Sequence, residues 1–428
     1  MFVATSWIML AWAVERIWED LDNQMDQLRI QWLLKDSDKG FKDWKYQQQR
    51  NYYMYEMALA WLFLRKKEKI TEKLNMVEEV ANKVVDKSFK ELFKKTDKNL
   101  LKDYTERTGV INENKTFKEL LEEQINDTAE AMQRNEIKTY TDLLKDIEKT
   151  HNKNLDELLN LPQEQRLKKE KEMLVNEIID CYDAKPDKRA INESRRIEIE
   201  RDLRTYLQRE ATAITINVSK ENGYYLFLCN SLRDSADDHC NYQGKVYILK
   251  DYKNIVKKES IEQVENLIKS QKIDFLEDII DGTIKYTYFL KNGEKRVRGV
   301  FLTTRWNCRH YFTPITYNEA LNKEQTIKDK ELSNGKYDKD NYKALQTQRR
   351  LERELRALKS RKLILKEQLK YATNNHILKR DLKEVNKKIK ECEIALENIC
   401  KQYNLPRAYN REQVESLTYD LGIKKEEW

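Results

Sequence analysis

Residues 378–399 read LKRDLKEVNKKIKECEIALENI. Leu378, Leu382, Val385, Ile389, Cys392, Leu396 and Ile399 step alternately by four and three, the spacing that lines one side of an α-helix and seats it on a partner helix. Upstream, Leu351, Leu355, Leu358, Leu365 and Leu369 mark a second amphipathic arm. Between the arms, Thr373-Asn374-Asn375-His376 supplies a turn, because Asn tolerates the left-handed backbone such a reversal needs. Two apolar seams joined by a short turn predict an antiparallel helical hairpin. Cys392 falls on the seam and reads as a small core hydrophobe.

The same character extends over most of the chain. Nine glycines and four prolines in 428 residues make about 3%, where about 12% is ordinary, and 36% of the residues are charged. So few turn formers predict long helices and exclude an all-β sandwich, a collagen-like repeat or a flexible linker protein. No glycine-rich phosphate-binding motif occurs. The six cysteines, at 181, 229, 240, 308, 392 and 400, lack the dense spacing of a disulfide scaffold and fit a reducing compartment.

Toward the N-terminus, Val14, Trp18, Leu21, Met25, Leu28 and Trp32 form one helical stripe, with Glu, Asp and Gln on the other side. Six of the eight tryptophans lie in the first 61 residues. Aromatic anchors of this kind are enriched at protein interfaces, so Trp7, Trp12, Trp18 and Trp32 are candidate docking residues, with core filling as the alternative. Further helices are expected near 70–96 and 116–160, with another starting at Leu161-Pro162. The apolar run 52–64 is too short to span a bilayer and contains Glu56, so it reads as a buried helix. The apolar first fourteen residues lack the basic flank of a signal sequence, and membrane spanning is not expected.

Near residue 213 the texture changes. Ala213-Ile-Thr-Ile-Asn-Val218 alternates and is β-branched, and six of the nine glycines fall between Gly223 and Gly335. Strands are expected at 224–229, 245–249, 282–290 and 295–302, the last two joined by an Asn292-Gly293 hairpin turn. The predicted fold is therefore mostly α with a small α+β domain. An N-terminal helical docking region (1–204) precedes a central α+β domain (205–325), and a linker then leads into a basic C-terminal hairpin with a short tail (326–428).

The net charge of +7 is unevenly spread. Residues 341–390 hold sixteen Lys and Arg against five acidic residues, a local +11, leaving −4 for the remainder. Arg349, Arg350, Arg353, Arg356, Lys359, Arg361, Lys362 and Lys366 are candidates for a face toward DNA phosphates or an acidic partner, the alternative being a solvated coiled-coil surface.

Two of the four histidines stand beside two of the cysteines, in Asp237-Asp238-His239-Cys240 and Asn307-Cys308-Arg309-His310. In an extended segment residues i and i+2 point the same way, so Cys308 and His310 share a face, as do Asp237 and His239. The first expectation is a hydrogen-bonded cluster of Arg233, Asp238, His239, Gln243, Gly244, Asn307, Cys308, Arg309 and His310 that pins two distant loops together, with no cofactor. The alternative is zinc held by His239, Cys308 and His310, with Asp237 or Cys240 as fourth ligand, since thiolate and imidazole suit that ion. Catalysis lacks a legible third partner for a thiol nucleophile and further carboxylates for a metal-dependent nuclease.

At these residues the chain resembles the phage minor capsid protein 2 family, relatives of the Mu-like head morphogenesis proteins. One block is Arg233 followed by Asp238, His239 and Gln243-Gly244-Lys245-Val246-Tyr247; a second is Asn307-Cys308-Arg309-His310 with Pro314 after it. The third runs from Gln346 and Gln348-Arg349 through Glu352-Arg353, Arg356 and Lys359, and ends in Leu405-Pro406-Arg407 and Arg411-Glu412. Order and spacing agree over roughly 205–415. Asp237 and Tyr242, where the family favours Pro and Trp, and Thr303-Thr304-Arg305-Trp306, where its approach to Asn-Cys-Arg-His is glycine-rich, depart from the pattern. The resemblance implies a non-enzymatic minor structural protein of a phage head, near the portal or on the inner capsid face and acting in head assembly or DNA packaging and ejection. It also implies several copies per virion, the portal or major capsid protein as partner, non-specific DNA contact, and passage through the host cytoplasm during assembly. The rival readings are a metal-dependent nuclease or transferase on the α+β domain, and a membrane-associated ejection protein using residues 1–18.

Overall fold

The computed structural model describes residues 17, 20–109, 114–184, 189–232, 239–289, 293–303, 308, 310–329, 339–372 and 375–414. They are mostly helical. The helices are α1 (20–34), α2 (Phe41–Val84), α3 (Lys87–Thr108), α4 (Phe117–Leu159), α5 (Gln163–Ala184), α6 (Arg189–Glu221), α7 (Ile261–Gln271), α8 (Leu276–Ile280), α9 (Tyr317–Leu321), α10 (Lys323–Asp329), α11 (Lys339–Tyr371) and α12 (His376–Tyr403). None of the described helices is long and apolar enough to cross a membrane. The chain packs as two modules, to both of which α2, α4, α6 and α11 contribute residues.

One module comprises Ile70–Gln124 and Ile197–Leu345. At its centre is β1 (Leu226–Cys229), an uninterrupted apolar run because both of its faces are covered. It pairs antiparallel with β2 (Val246–Ile248) and β6 (Phe312–Ile315), and β3 (Asp274–Phe275) adds parallel to β2. Pro314 is tolerated because β6 is an edge strand. Phe227, Cys229, Tyr247 and Phe312 pack toward Phe89 and Phe93 of α3 and Ala213, Ile214 and Ile216 of α6. On the opposite face Leu226, Leu228, Val246, Ile248 and Ile315 meet Val264 and Leu267 of α7. A separate hairpin, β4 (Lys285–Phe289) with β5 (Lys295–Gly299), forms where the Asn-Gly signal lies, and residues 290–292 of its turn are outside the described set.

The alternating, β-branched stretch 213–218, where the texture of the sequence changes, lies near the end of α6. Its β-branched residues sit in a helix buried on several sides, where alternation carries no information. Ala213, Ile214, Ile216 and Asn217 are all buried. The hydroxyls that favour extended backbone are absorbed within the helix: Thr212, Thr215 and Ser219 each donate to the carbonyl four residues back. Packing has overridden propensity.

The other module comprises the described residues of 16–69, 125–196 and 346–414. Trp44 donates to Leu33 O at 2.8 Å, Gln48 Nε2 to Trp32 O at 3.0 Å, and Tyr55 stacks on Tyr140 with ring centroids 4.0 Å apart. Arg29 and Tyr55 both donate to Glu136 at 2.8 Å, placing a paired charge inside this helical core. The predicted hairpin is present: Leu351, Leu355 and Leu358 of α11 meet Val385, Ile389, Cys392 and Leu396 of α12, and Cys392 Sγ donates to Leu351 O at 3.3 Å.

Trp32 is only 4% exposed, with Tyr55 edge-on to its ring, so it is a core residue and not a docking anchor. Trp7, Trp12 and Trp18 lie outside the described residues. The run 52–64 is buried on one side only. Tyr55, Leu59, Leu62 and Phe63 turn inward, while Tyr53, Met57 (64% exposed), Trp61 (37%) and Leu64 face outward.

Candidate functional site

The polar cluster is assembled by the β1–β2 connection and the approach to β6. After β1, Asn230 N donates to Tyr311 O at 3.1 Å and Asn230 Oδ1 accepts from Tyr311 N at 2.7 Å, which locks the two segments together. His239 opens a turn whose carbonyl accepts from Tyr242 N and Gln243 N. Gly244 closes it at φ +65°, and a Cβ there would stand 2.5 Å from Ser231 Oγ. That double constraint explains a glycine at this position. From α6, Gln208 Nε2 donates to His310 O at 3.0 Å.

His239 (5% exposed), Cys308 (5%) and His310 (2%) converge beneath this loop. Cys308 Sγ lies 3.4 Å from His310 Nδ1 and 3.8 Å from His239 Nδ1, and it accepts Thr303 N–H at 3.0 Å. Burial alone would raise the Cys308 pKa, but the two imidazoles outweigh it and hold the thiol well below its usual range. Cys229, buried in the sheet without such neighbours, is pushed up. Gln243 ties the cluster to the backbone, donating to Leu232 O at 3.0 Å and accepting from Leu232 N at 2.8 Å. His310 Nε2 stands 2.9 Å from the same Gln243 oxygen.

Of the residues singled out in the sequence, His239, Gln243, Gly244, Cys308 and His310 are brought together here. Cys240 does not join the group of ligand atoms within reach of one another. Arg233, Asp237, Asp238, Asn307 and Arg309 are outside the described residues. Thr303, which the sequence marks only as standing where the family is glycine-rich, is fully buried and holds φ +70°, a conformation glycine adopts freely and a β-branched residue rarely.

The basic candidates on α11 divide. Arg350, Arg353 and Lys366 are exposed. Arg361 instead makes a two-pronged pair with Asp183 at 2.8 Å, Arg356 donates to Arg411 O at 2.6 Å, and Lys359 donates to Glu412 O at 2.9 Å. Arg349 and Lys362 are half-buried. Residues 405–414 form a strap across α11 and α12. Gln348 donates to Pro406 O at 2.9 Å, and Arg407 grips Glu412 at 2.7 and 2.8 Å and Glu397 at 3.0 Å. The third block of the resemblance is thus a polar clasp at the open end of the hairpin.

Over residues 10–396 the chain matches the family model described as Phage minor capsid protein 2. No curated protein matches, and no solved structure does. The match reaches well upstream of the three motif blocks and stops before the strap, spanning nearly the whole chain. The chain therefore belongs to the phage minor capsid protein 2 family, and it is a structural component of a phage virion.

Proposed function

We propose that the protein is a non-enzymatic component of the phage head that docks on the portal or major capsid protein and acts in head assembly or in DNA packaging and ejection. The family match over 10–396 carries this reading. Two features of the fold support it. The outward face of α2, with Tyr53, Met57, Trp61 and Leu64, offers apolar and aromatic anchors of the kind found at protein interfaces. The exposed cations of the α11–α12 hairpin suit phosphate or an acidic surface. Burial of the thiol and both imidazoles favours a structural use of the cluster over a nuclease or transferase site.

The test is incorporation. Mass spectrometry of purified heads is expected to find the chain, and a Met57→Asp/Trp61→Asp variant that keeps its helical circular dichroism is expected to be depleted from them at least about 10-fold. Heads that assemble, package and infect normally without the chain would remove the assembly role. Normal incorporation of the variant would move the docking surface elsewhere.

A further inference from the structure

Hydrogen-bond accounting around His310 fixes which of its nitrogens is bare. Gln243 donates its amide N–H to Leu232 O and accepts Leu232 N–H on its oxygen, so the amide cannot be flipped. The same oxygen faces His310 Nε2 at 2.9 Å and needs a donor there, so the ring proton sits on Nε2. His310 Nδ1 then points a lone pair at Cys308 Sγ, 3.4 Å away. A neighbouring group holding the far ring nitrogen while the near one faces a thiol is the arrangement that orients imidazole as a metal ligand.

The distances support the same reading. In a tetrahedral shell with metal–sulfur near 2.3 Å and metal–nitrogen near 2.0–2.1 Å, sulfur and nitrogen stand about 3.6 Å apart. The two observed separations from Sγ, 3.4 and 3.8 Å, bracket that value, and all three ligand atoms lie within 4.8 Å of one another. One ion at the centre of the group would serve both imidazoles and the sulfur together. Thr303 adds a donor suited to thiolate, its N–H reaching Sγ at 3.0 Å from a left-handed backbone. The fully buried Thr303 hydroxyl has no hydrogen-bond partner among the described residues.

We propose that His239 Nδ1, Cys308 Sγ and His310 Nδ1 bind one divalent transition-metal ion of borderline softness, Zn2+ by its chemistry, with water completing the shell. Thiolate with two imidazoles excludes Mg2+ and Ca2+, which take oxygen ligands. The ion fastens the loop after β1 to the segment entering β6, so its binding energy is folding energy for the central sheet. A metal held here serves the chain's own fold whatever the protein's position in the virion.

The full-length protein, prepared without a histidine tag, is analysed for metal, stripped with a chelator and reloaded. One zinc per chain is expected. X-ray absorption of the zinc form is expected to show a single sulfur at about 2.3 Å with nitrogen or oxygen in the remaining positions. The cobalt form is expected to show a thiolate-to-metal charge-transfer band. Cys308→Ser is expected to lose that band and to bind zinc at least about 100-fold more weakly, and Gln243→Ala to keep the band with about 10–100-fold weaker binding. Cys240→Ser keeps both properties. Should Cys308→Ser not fold, the absorption spectrum of the unmodified protein decides by itself. A protein that stays metal-free under zinc, a metal shell with no sulfur or more than one, or equal zinc affinity in a folded Cys308→Ser variant would each overturn the proposal.

Discussion

Asp202 of α6 is fully buried, and Arg107 of α3 donates to it at 2.9 Å. Burial lifts its carboxyl to about 6, and the guanidinium offsets only part of that. An acid whose folded pKa is raised binds its proton more tightly in the folded state. Its stabilising contribution is therefore present at low pH and is lost as pH rises from the unfolded value near 4 through about 6. Asp202→Asn cannot titrate, so the unfolding free energy of the natural protein relative to this variant is expected to fall by on the order of 2 kcal/mol between pH 4 and 7. Urea unfolding at a series of pH values measures it, and parallel profiles would refute it. At this scale the candidate site was partly legible. Cys308 and His310, which the i, i+2 rule places on one face, both reach the cluster just ahead of β6, with Sγ and Nδ1 3.4 Å apart. Thr303 was legible only as a residue standing where the family is glycine-rich, because its role comes from a left-handed backbone and an amide, which no side-chain pattern records.

Among the elements, the hairpin was readable and α6 was not, for one physical reason. α12 is half buried, so its 4-3 spacing separates a seam from a solvated face, and Leu378, Ile389, Cys392 and Leu396 are buried as that spacing requires. The 213–218 end of α6 is covered on several sides, which erases any helical contrast between faces and leaves only β-branched composition to read. The strap was legible only as a motif, since the contacts that give it meaning join residues 348–359 to 405–412. Its central pair is Arg407 with Glu412, whose side chain is 4% exposed. Glu412→Ala leaves Arg407 without its main partner and is expected to destabilise the hairpin by about 2–3 kcal/mol. Arg407→Ala/Glu412→Ala together should cost less than the two single changes added. Thermal unfolding of the four proteins decides, and simple additivity would mean that the pair is not coupled.

For the whole molecule, composition foretold the class but not the packing. Scarce glycine and proline correctly announced long helices, yet the sequence carries no mark of where α2, α4, α6 and α11 stop contributing to one module and begin contributing to the other, because each runs as one continuous helix through that point. Charge behaves in the same way. The local +11 is a property of sequence, but the structure divides it into cations committed to the fold and cations facing solvent. Arg361 is held by Asp183, whereas Arg350 and Arg353 are exposed on α11, and Lys379, Lys383 and Lys390 lie along one stripe of α12. This division makes DNA contact separable from folding. Duplex binding by the natural protein is expected to ignore sequence and to weaken steeply with salt, the logarithmic slope reporting about 0.9 per phosphate neutralised. Arg350→Ala/Arg353→Ala should lower that slope by up to about 2 while leaving the melting temperature unchanged. Arg361→Ala should do the reverse, keeping the slope and lowering the melting temperature, because its guanidinium is already spent on Asp183. Fluorescence anisotropy with random-sequence duplex at several salt concentrations, alongside calorimetry, distinguishes the two. Equal slopes in all three proteins would assign the hairpin's charge to an acidic protein surface in the head instead of to the packaged DNA.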